Sequence, residues 1–94
     1  MSEPLPEFVE IGDTVLFQAL QDEIVLLNMT SQEYYGLDSI GSDIWQQLLE
    51  LRNVAAVRER LTAVYDADEN LIRSDFDALI RDLLGAGLLR TAKS

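Results

Sequence analysis

The sequence predicts an α+β domain: a three-stranded antiparallel sheet followed by three helices. Three observations predict it. Residues 14–37 alternate or run apolar in short β-prone stretches separated only by small polar turns. From Ser39–Ile40 onward the apolar spacing lengthens to three and four residues, the helical period. Finally, no repeat, low-complexity tract or long linker divides the 94 residues, so 1–94 reads as one domain, with 1–7 as a loose N-terminal arm carrying Pro4 and Pro6.

After the arm, Phe8–Ile11 reads either as a short strand or as an extended lead-in, and Gly12–Asp13 marks a turn. Thr14–Leu20 is a strand with Val15, Phe17 and Ala19 on one face and Leu16, Gln18 and Leu20 on the other. Gln21–Asp22 turns the chain. Glu23–Met29 is the most β-prone stretch, and its unbroken Ile24-Val25-Leu26-Leu27 predicts a central strand covered on both faces. Thr30-Ser31-Gln32 is the next turn, and Glu33–Leu37 the last strand. Connections this short predict a meander whose final strand lies at one edge. Period-two alternation sends Tyr34 and Tyr35 to opposite faces, with Tyr35 and Leu37 inward. Gly36 either relieves a bend or lets another backbone approach.

In the first helix Ile40, Ile44, Leu48 and Leu51 recur at helical spacing with core Trp45 beside them, and Asp38 or Ser39 is the N-cap. Asn53 caps a second helix with Val54, Val57, Leu61 and Val64 in one stripe. Tyr65-Asp66-Ala67 connects it to a third helix, from near Asp68 to about Leu84. That helix has Ile72, Phe76, Leu79, Ile80 and Leu83 on a narrow face and Gly85-Ala86-Gly87 as its stop. Leu88–Leu89 then fold back onto the core.

Composition narrows the function. Seventeen acidic against seven basic residues leave a net charge of −10, which repels a nucleic-acid backbone and favours a basic partner. No apolar run nears the roughly 18 residues a membrane span needs, and the acidic start is unlike a signal peptide, so the expected setting is cytoplasmic. There is no cysteine and no histidine, which removes the usual nucleophile and proton-transfer groups. The expectation is no enzyme activity, no cofactor and no metal. Asp66, Asp68 and Asn70 occupy the first, third and fifth positions of a calcium loop, but position six is Leu71 rather than Gly and position twelve is Asp77 rather than Glu. Acids suited to a helix N-terminus account for that run.

An edge strand with free N–H and C=O groups is a natural dock for an extended peptide. The third helix offers a wall beside it, its apolar face bordered by Arg73, Asp77 and Leu84 on one side and by Asp75 and Asp82 on the other. Salt bridges at four-residue spacing, Arg73–Asp77 and Asp77–Arg81, are the solvent-face reading of the same charges. The binding reading is an apolar slot with an acidic rim.

The run Glu23-Ile24-Val25-Leu26-Leu27-Asn28-Met29, a polar turn, then Glu33-Tyr34-Tyr35-Gly36-Leu37-Asp38-Ser39-Ile40-Gly41-Ser42-Asp43-Ile44-Trp45, resembles the PqqD-like family. The stretch Phe76 to Leu89, ending Leu-Gly-Ala-Gly-Leu-Leu, is similar to that family's closing helix and tail. The resemblance implies a winged helix-turn-helix-like peptide-recognition element, a RiPP recognition element. Such an element binds the leader segment of a ribosomally made precursor by strand addition and presents it to a modifying enzyme. Carried over by position, it implicates Glu33, Tyr34, Tyr35, Gly36 and Leu37 for backbone pairing and Phe76, Leu79, Ile80 and Leu83 for the slot. Asp75, Asp77 and Asp82 are added as rim contacts on charge alone. Tyr-Tyr-Gly-Leu-Asp and Ile-Trp look most like the free-standing B1 proteins of lasso-peptide maturation, whose partner is a leader peptidase. The alternatives are a peptide chaperone serving a radical SAM enzyme in quinone-cofactor synthesis, and a winged-helix transcription regulator.

Overall fold

The structure, a computed structural model, describes residues 5–65 and 68–93. Its elements are β1 (Phe8–Ile11), β2 (Val15–Leu20), β3 (Glu23–Asn28), β4 (Glu33–Leu37), α1 (Ser39–Leu51), α2 (Val54–Val64), α3 (Glu69–Gly85) and β5 (Leu89–Ala92). The expected antiparallel meander is present as a three-stranded sheet in the order β2-β3-β4, with β3 central and β4 at an edge. Both hairpins close on a residue in the left-handed region, Gln21 at φ 56° and Gln32 at φ 62°.

The three helices begin where capping side chains satisfy their first free N–H groups. Asp38 accepts from Gly41 at 2.7 Å and Asn53 from Ala56 at 2.8 Å, while Asp68 accepts from Asn70 at 2.8 Å and Leu71 at 3.3 Å. α3 ends in a Schellman turn: Leu88 N–H donates to the Leu83 carbonyl and Gly87 N–H to that of Leu84, with Gly87 at φ 73°. Asp66 and Ala67, and with them the first position of the calcium reading, lie outside the described residues.

Beyond the expected elements there is a second, two-stranded sheet. Phe8–Ile11 is a strand, and it pairs antiparallel with β5, Phe8 opposite Ala92 and Ile11 opposite Leu89. Leu88–Leu89 do fold back onto the core, and the chain then continues as β5. Of the expected loose arm, residues 1–4 lie outside the described residues. Leu5 packs on the core, and the Glu7 carbonyl accepts the Val54 N–H at 3.0 Å.

The core sits between the inner face of the β2–β4 sheet and the helices, with Trp45, Phe76, Ile24, Leu26, Leu48 and Leu61 fully buried. Phe17 meets Trp45 edge-on at 5.8 Å between ring centroids. Tyr35 and Leu37 point inward and Tyr34 outward, as alternation required. Three expectations need correction. The central strand is covered on one face only: Ile24, Leu26 and Asn28 are buried while Val25 and Leu27 stay half-buried, because every helix packs on the same side. Ile40 and Val64, placed on apolar stripes by spacing, are exposed, since each falls at a helix end beyond the packed layer.

Asn28 ties the sheet to α3. Its amide donates to the Ala86 carbonyl at 2.8 Å just past the helix end, and its side-chain oxygen accepts from Thr30 and Ser31 in the β3–β4 turn. An alanine there leaves these groups short of partners, so Asn28→Ala is expected to lower stability by about 1–3 kcal/mol, read by urea unfolding; a loss within experimental error would remove this clamp from the account.

Candidate functional site

Which backbone groups β4 leaves open follows from the ladder. In an antiparallel sheet successive residues of a strand send their N–H and C=O to alternate sides. Met29 donates its N–H to the Thr14 carbonyl beside β2, so on β3 Leu27 and Val25 also face β2, and Asn28, Leu26 and Ile24 face β4. Their partners Glu33, Tyr35 and Leu37 are therefore the residues that bond across to β3. Tyr34 and Gly36 send their N–H and C=O outward from the sheet, where no described strand pairs with them.

Beside this edge is a cleft of about 490 Å³ between β4, α1, α3 and the end of α2. Leu37, Ile44, Leu61 and Phe76 form its floor and are buried. Tyr35, Ile72, Leu79 and Tyr65 are half-buried walls, and Ile40 and Leu71 are exposed apolar lips. Asp38 and Gly41, at the start of α1, close one end. Gly41 fits tightly, because a Cβ there would stand 3.2 Å from the capping Asp38 oxygen. Tyr65 is held in place by its hydroxyl, which donates to Asp43 at 3.0 Å. Nothing lies within 4 Å of where a Cβ on Gly36 would be, so no contact inside the chain calls for glycine there.

The expected site residues divide into groups. Tyr35, Gly36, Leu37, Asp75, Phe76 and Leu79 come together around the cleft. Glu33 and Tyr34 lie further along the same edge, near Ala86 and Leu88. Ile80 and Leu83 are fully buried core and support the cleft from behind. Asp75 lines the cleft and Asp82 acts on Tyr35, so both are on the β4 side of α3. Asp77 faces α2 instead. Its carboxylate accepts from Arg58 Nε at 3.1 Å and Nη2 at 2.9 Å, and the same guanidinium lies 5.5 Å from the Phe76 ring centre. The four-residue pairs expected on α3 give way to this pairing between helices, and Arg73 pairs with Glu69 at 2.9 Å. Asp38, Ile40, Gly41, Ile44, Leu61, Tyr65, Leu71 and Ile72 were not assigned to the site from sequence. Ile72 shares the apolar stripe of Phe76 and Leu79, the one signal the sequence offered for these residues, whereas the exposure of Ile40 and Leu71 is invisible before folding.

A larger depression of about 880 Å³ lies between β1, β5 and the end of α3. It contains no β4 residue, and two of its lining side chains, Arg90 and Asp13, are paired at 2.6 Å. The β4 cleft is the better site because apolar walls and free main-chain groups meet there.

Burial first, and then the Asp82 charge, raise the Tyr35 phenol above its ordinary value. The folded chain thus holds this proton more tightly than the unfolded chain does, so its contribution to stability is intact below pH 10 and is lost as pH rises through the folded pKa. Spectrophotometric titration of wild type against Tyr35→Phe should locate this phenol above 10. Asp82→Asn should lower its midpoint only in part, because burial remains.

The sequence profile of the family described as Coenzyme PQQ synthesis protein D (PqqD) matches residues 23–89. No curated protein matches the sequence. Two solved structures are similar in fold and sequence. One is TbiB1 in complex with the TbiA(beta) leader peptide, at TM-score 0.80 and 30% identity, covering 90% of this chain and 99% of that one. The other is a lasso peptide synthetase B1 complexed with the leader peptide, at TM-score 0.76 and 26% identity, covering 86% and 95%.

Proposed function

This chain belongs to the PqqD family, and from that footing we propose that it captures the leader segment of a ribosomally synthesised precursor by strand addition at β4 and presents it to a maturation enzyme. The observation that carries the proposal is the unpaired edge of β4, with outward Tyr34 and Gly36 groups, running beside an apolar cleft. The similar B1 structures hold leader peptides, which favours the lasso-peptide setting and a leader peptidase as the receiving enzyme.

Binding divides between two kinds of contact. Main-chain bonds to Tyr34 and Gly36 fix the register of the incoming strand, and they are indifferent to its sequence. Its inward side chains enter the cleft over Leu37, Phe76 and Leu79, where apolar anchors are selected. Asp75 and Asp82 give the cleft side an acidic rim suited to lysines of the leader. Asp77, engaged by Arg58, is structural in this scheme. The function is binding without catalysis in a cytoplasmic setting, and the acids along α3 oppose a DNA-binding role.

Gly36→Pro tests the edge. It deletes an outward N–H rather than a ladder bond, and proline is tolerated in that situation, so circular dichroism should stay unchanged while affinity for a synthetic lasso-precursor leader peptide that the wild type binds falls at least about ten-fold. Unchanged affinity in a folded variant would remove β4 from the site. Charge makes a separate test: Asp75→Lys should weaken a lysine-bearing leader and flatten the salt dependence of binding. Asp77→Ala should leave affinity alone and cost up to about 1 kcal/mol of stability.

A further inference from the structure

The two ends of the β4 cleft are bounded by different tyrosines. At one end stands Tyr35, whose phenol feels the Asp82 charge from late in α3. At the other, where β4 passes into α1, the boundary is Tyr65, the residue that caps the end of α2. Its hydroxyl donates to Asp43 of α1 at 3.0 Å. Burial first, then that hydrogen bond and the charges of Asp43 and Asp38, raise this phenol above its ordinary value. Both acids belong to the start of α1, so the ring reaches from α2 across to α1 and stands at the Leu37 end of the cleft.

The ring is held differently from the floor beside it. Leu37, Ile44 and Leu61 are fixed by burial. Tyr65 is half-buried and its backbone has already left the helical region, at φ −89° and ψ 129°, so packing alone does not fix where its ring stands. The Asp43 hydrogen bond selects one position. An apolar pocket of fixed size discriminates roughly 10-fold or more between side chains that differ by one methylene, whereas a wall free to turn away yields to a larger guest. An extended peptide paired at β4 sends alternate side chains inward, so one of them lies beside Leu37 and meets Tyr65, and its inward neighbour lies beside Tyr35. We propose that Tyr65 determines specificity at the first of these positions: its ring sets the largest apolar side chain the leader can place beside Leu37, and Asp43 is a positioning residue that acts through the ring. This rests on the leader-capture reading and adds to it which position is selected by size, and by what.

The test uses the full chain and synthetic lasso-precursor leader peptides in which each apolar residue in turn is replaced by alanine or by a larger apolar residue. Fluorescence titration of the wild type should find one position where enlargement weakens binding at least about ten-fold. Tyr65→Ala should abolish that penalty there and leave the ranking at other positions as it was. Asp43→Ala should shrink the penalty at least about three-fold by freeing the ring, whereas Asp43→Asn, whose amide oxygen still accepts from the phenol, should keep it. A peptide ranking that is the same in wild type and Tyr65→Ala overturns the proposal. So does a uniform weakening of every peptide, which is what a merely structural residue would give. Where circular dichroism finds Tyr65→Ala unfolded, Asp43→Ala decides, and an undiminished penalty there overturns the proposal. A wild type that binds no leader overturns leader capture and this inference together. A leader bound by the wild type and released by Gly36→Pro, with a ranking indifferent to Tyr65, overturns this inference alone.

Discussion

The pairing of β1 with β5 decides what this fold can do. Backbone N–H and C=O groups need partners, and a chain with spare extended segments ordinarily uses them to cover its own sheet edges. Here both spare segments are spent on each other, Phe8–Ile11 against Leu89–Ala92, and β4 keeps a margin with no partner strand among the described residues. Two glycines hold that arrangement. Gly87 takes the left-handed φ of 73° that ends α3 and redirects the chain. Gly12 lies so close that a Cβ would stand 2.5 Å from the Gly87 carbonyl oxygen, while its N–H donates to Leu88 at 3.1 Å. With β1 committed there, the described part of the N-terminal segment does not lie along β4.

The cleft is kept in shape from two sides. Asn28 fixes the β3–β4 turn to the end of α3, which sets the distance between sheet edge and helix. Arg58 holds the opposite flank of α3 through Asp77 and lies near the Phe76 ring, so the aromatic floor is braced by α2. Neither contact uses the outward main-chain groups of Tyr34 and Gly36. The supporting polar interactions are made within the chain; β2 is the sheet's other edge, but it is β4 that runs beside the apolar cleft.

Much of this was legible before the structure, for reasons that are local. Asn53, and Asp38 of the pair Asp38 and Ser39, cap helices through their own side chains within three residues, the third helix starts beside Asp68 as expected, and the inward Tyr35 and Leu37 follow from period two. Tertiary choices were not legible. Alternation in Phe8–Ile11 cannot name its partner, so a strand bonded to residues about eighty positions away read equally well as a lead-in. Four-residue spacing offered Asp77 two arginines on its own helix, yet Arg58 of α2 reaches it at 2.9 Å. The apolar run Ile24–Leu27 was read as a strand buried on both faces, because sequence records hydrophobicity and not which layers exist to cover it.

That misreading carries physical content. A central strand apolar on both faces, in a fold that covers one, has a pattern suited to a two-layer cover of which this chain supplies one layer. A peptide strand added at β4 alternates its own side chains between the two faces. Residues pointing inward meet the cleft, and residues pointing outward lie beside Leu27 and Tyr34 on the uncovered face. Any extended peptide paired at β4 would therefore present alternate side chains to two different surroundings, the cleft on one face and Leu27 and Tyr34 on the other.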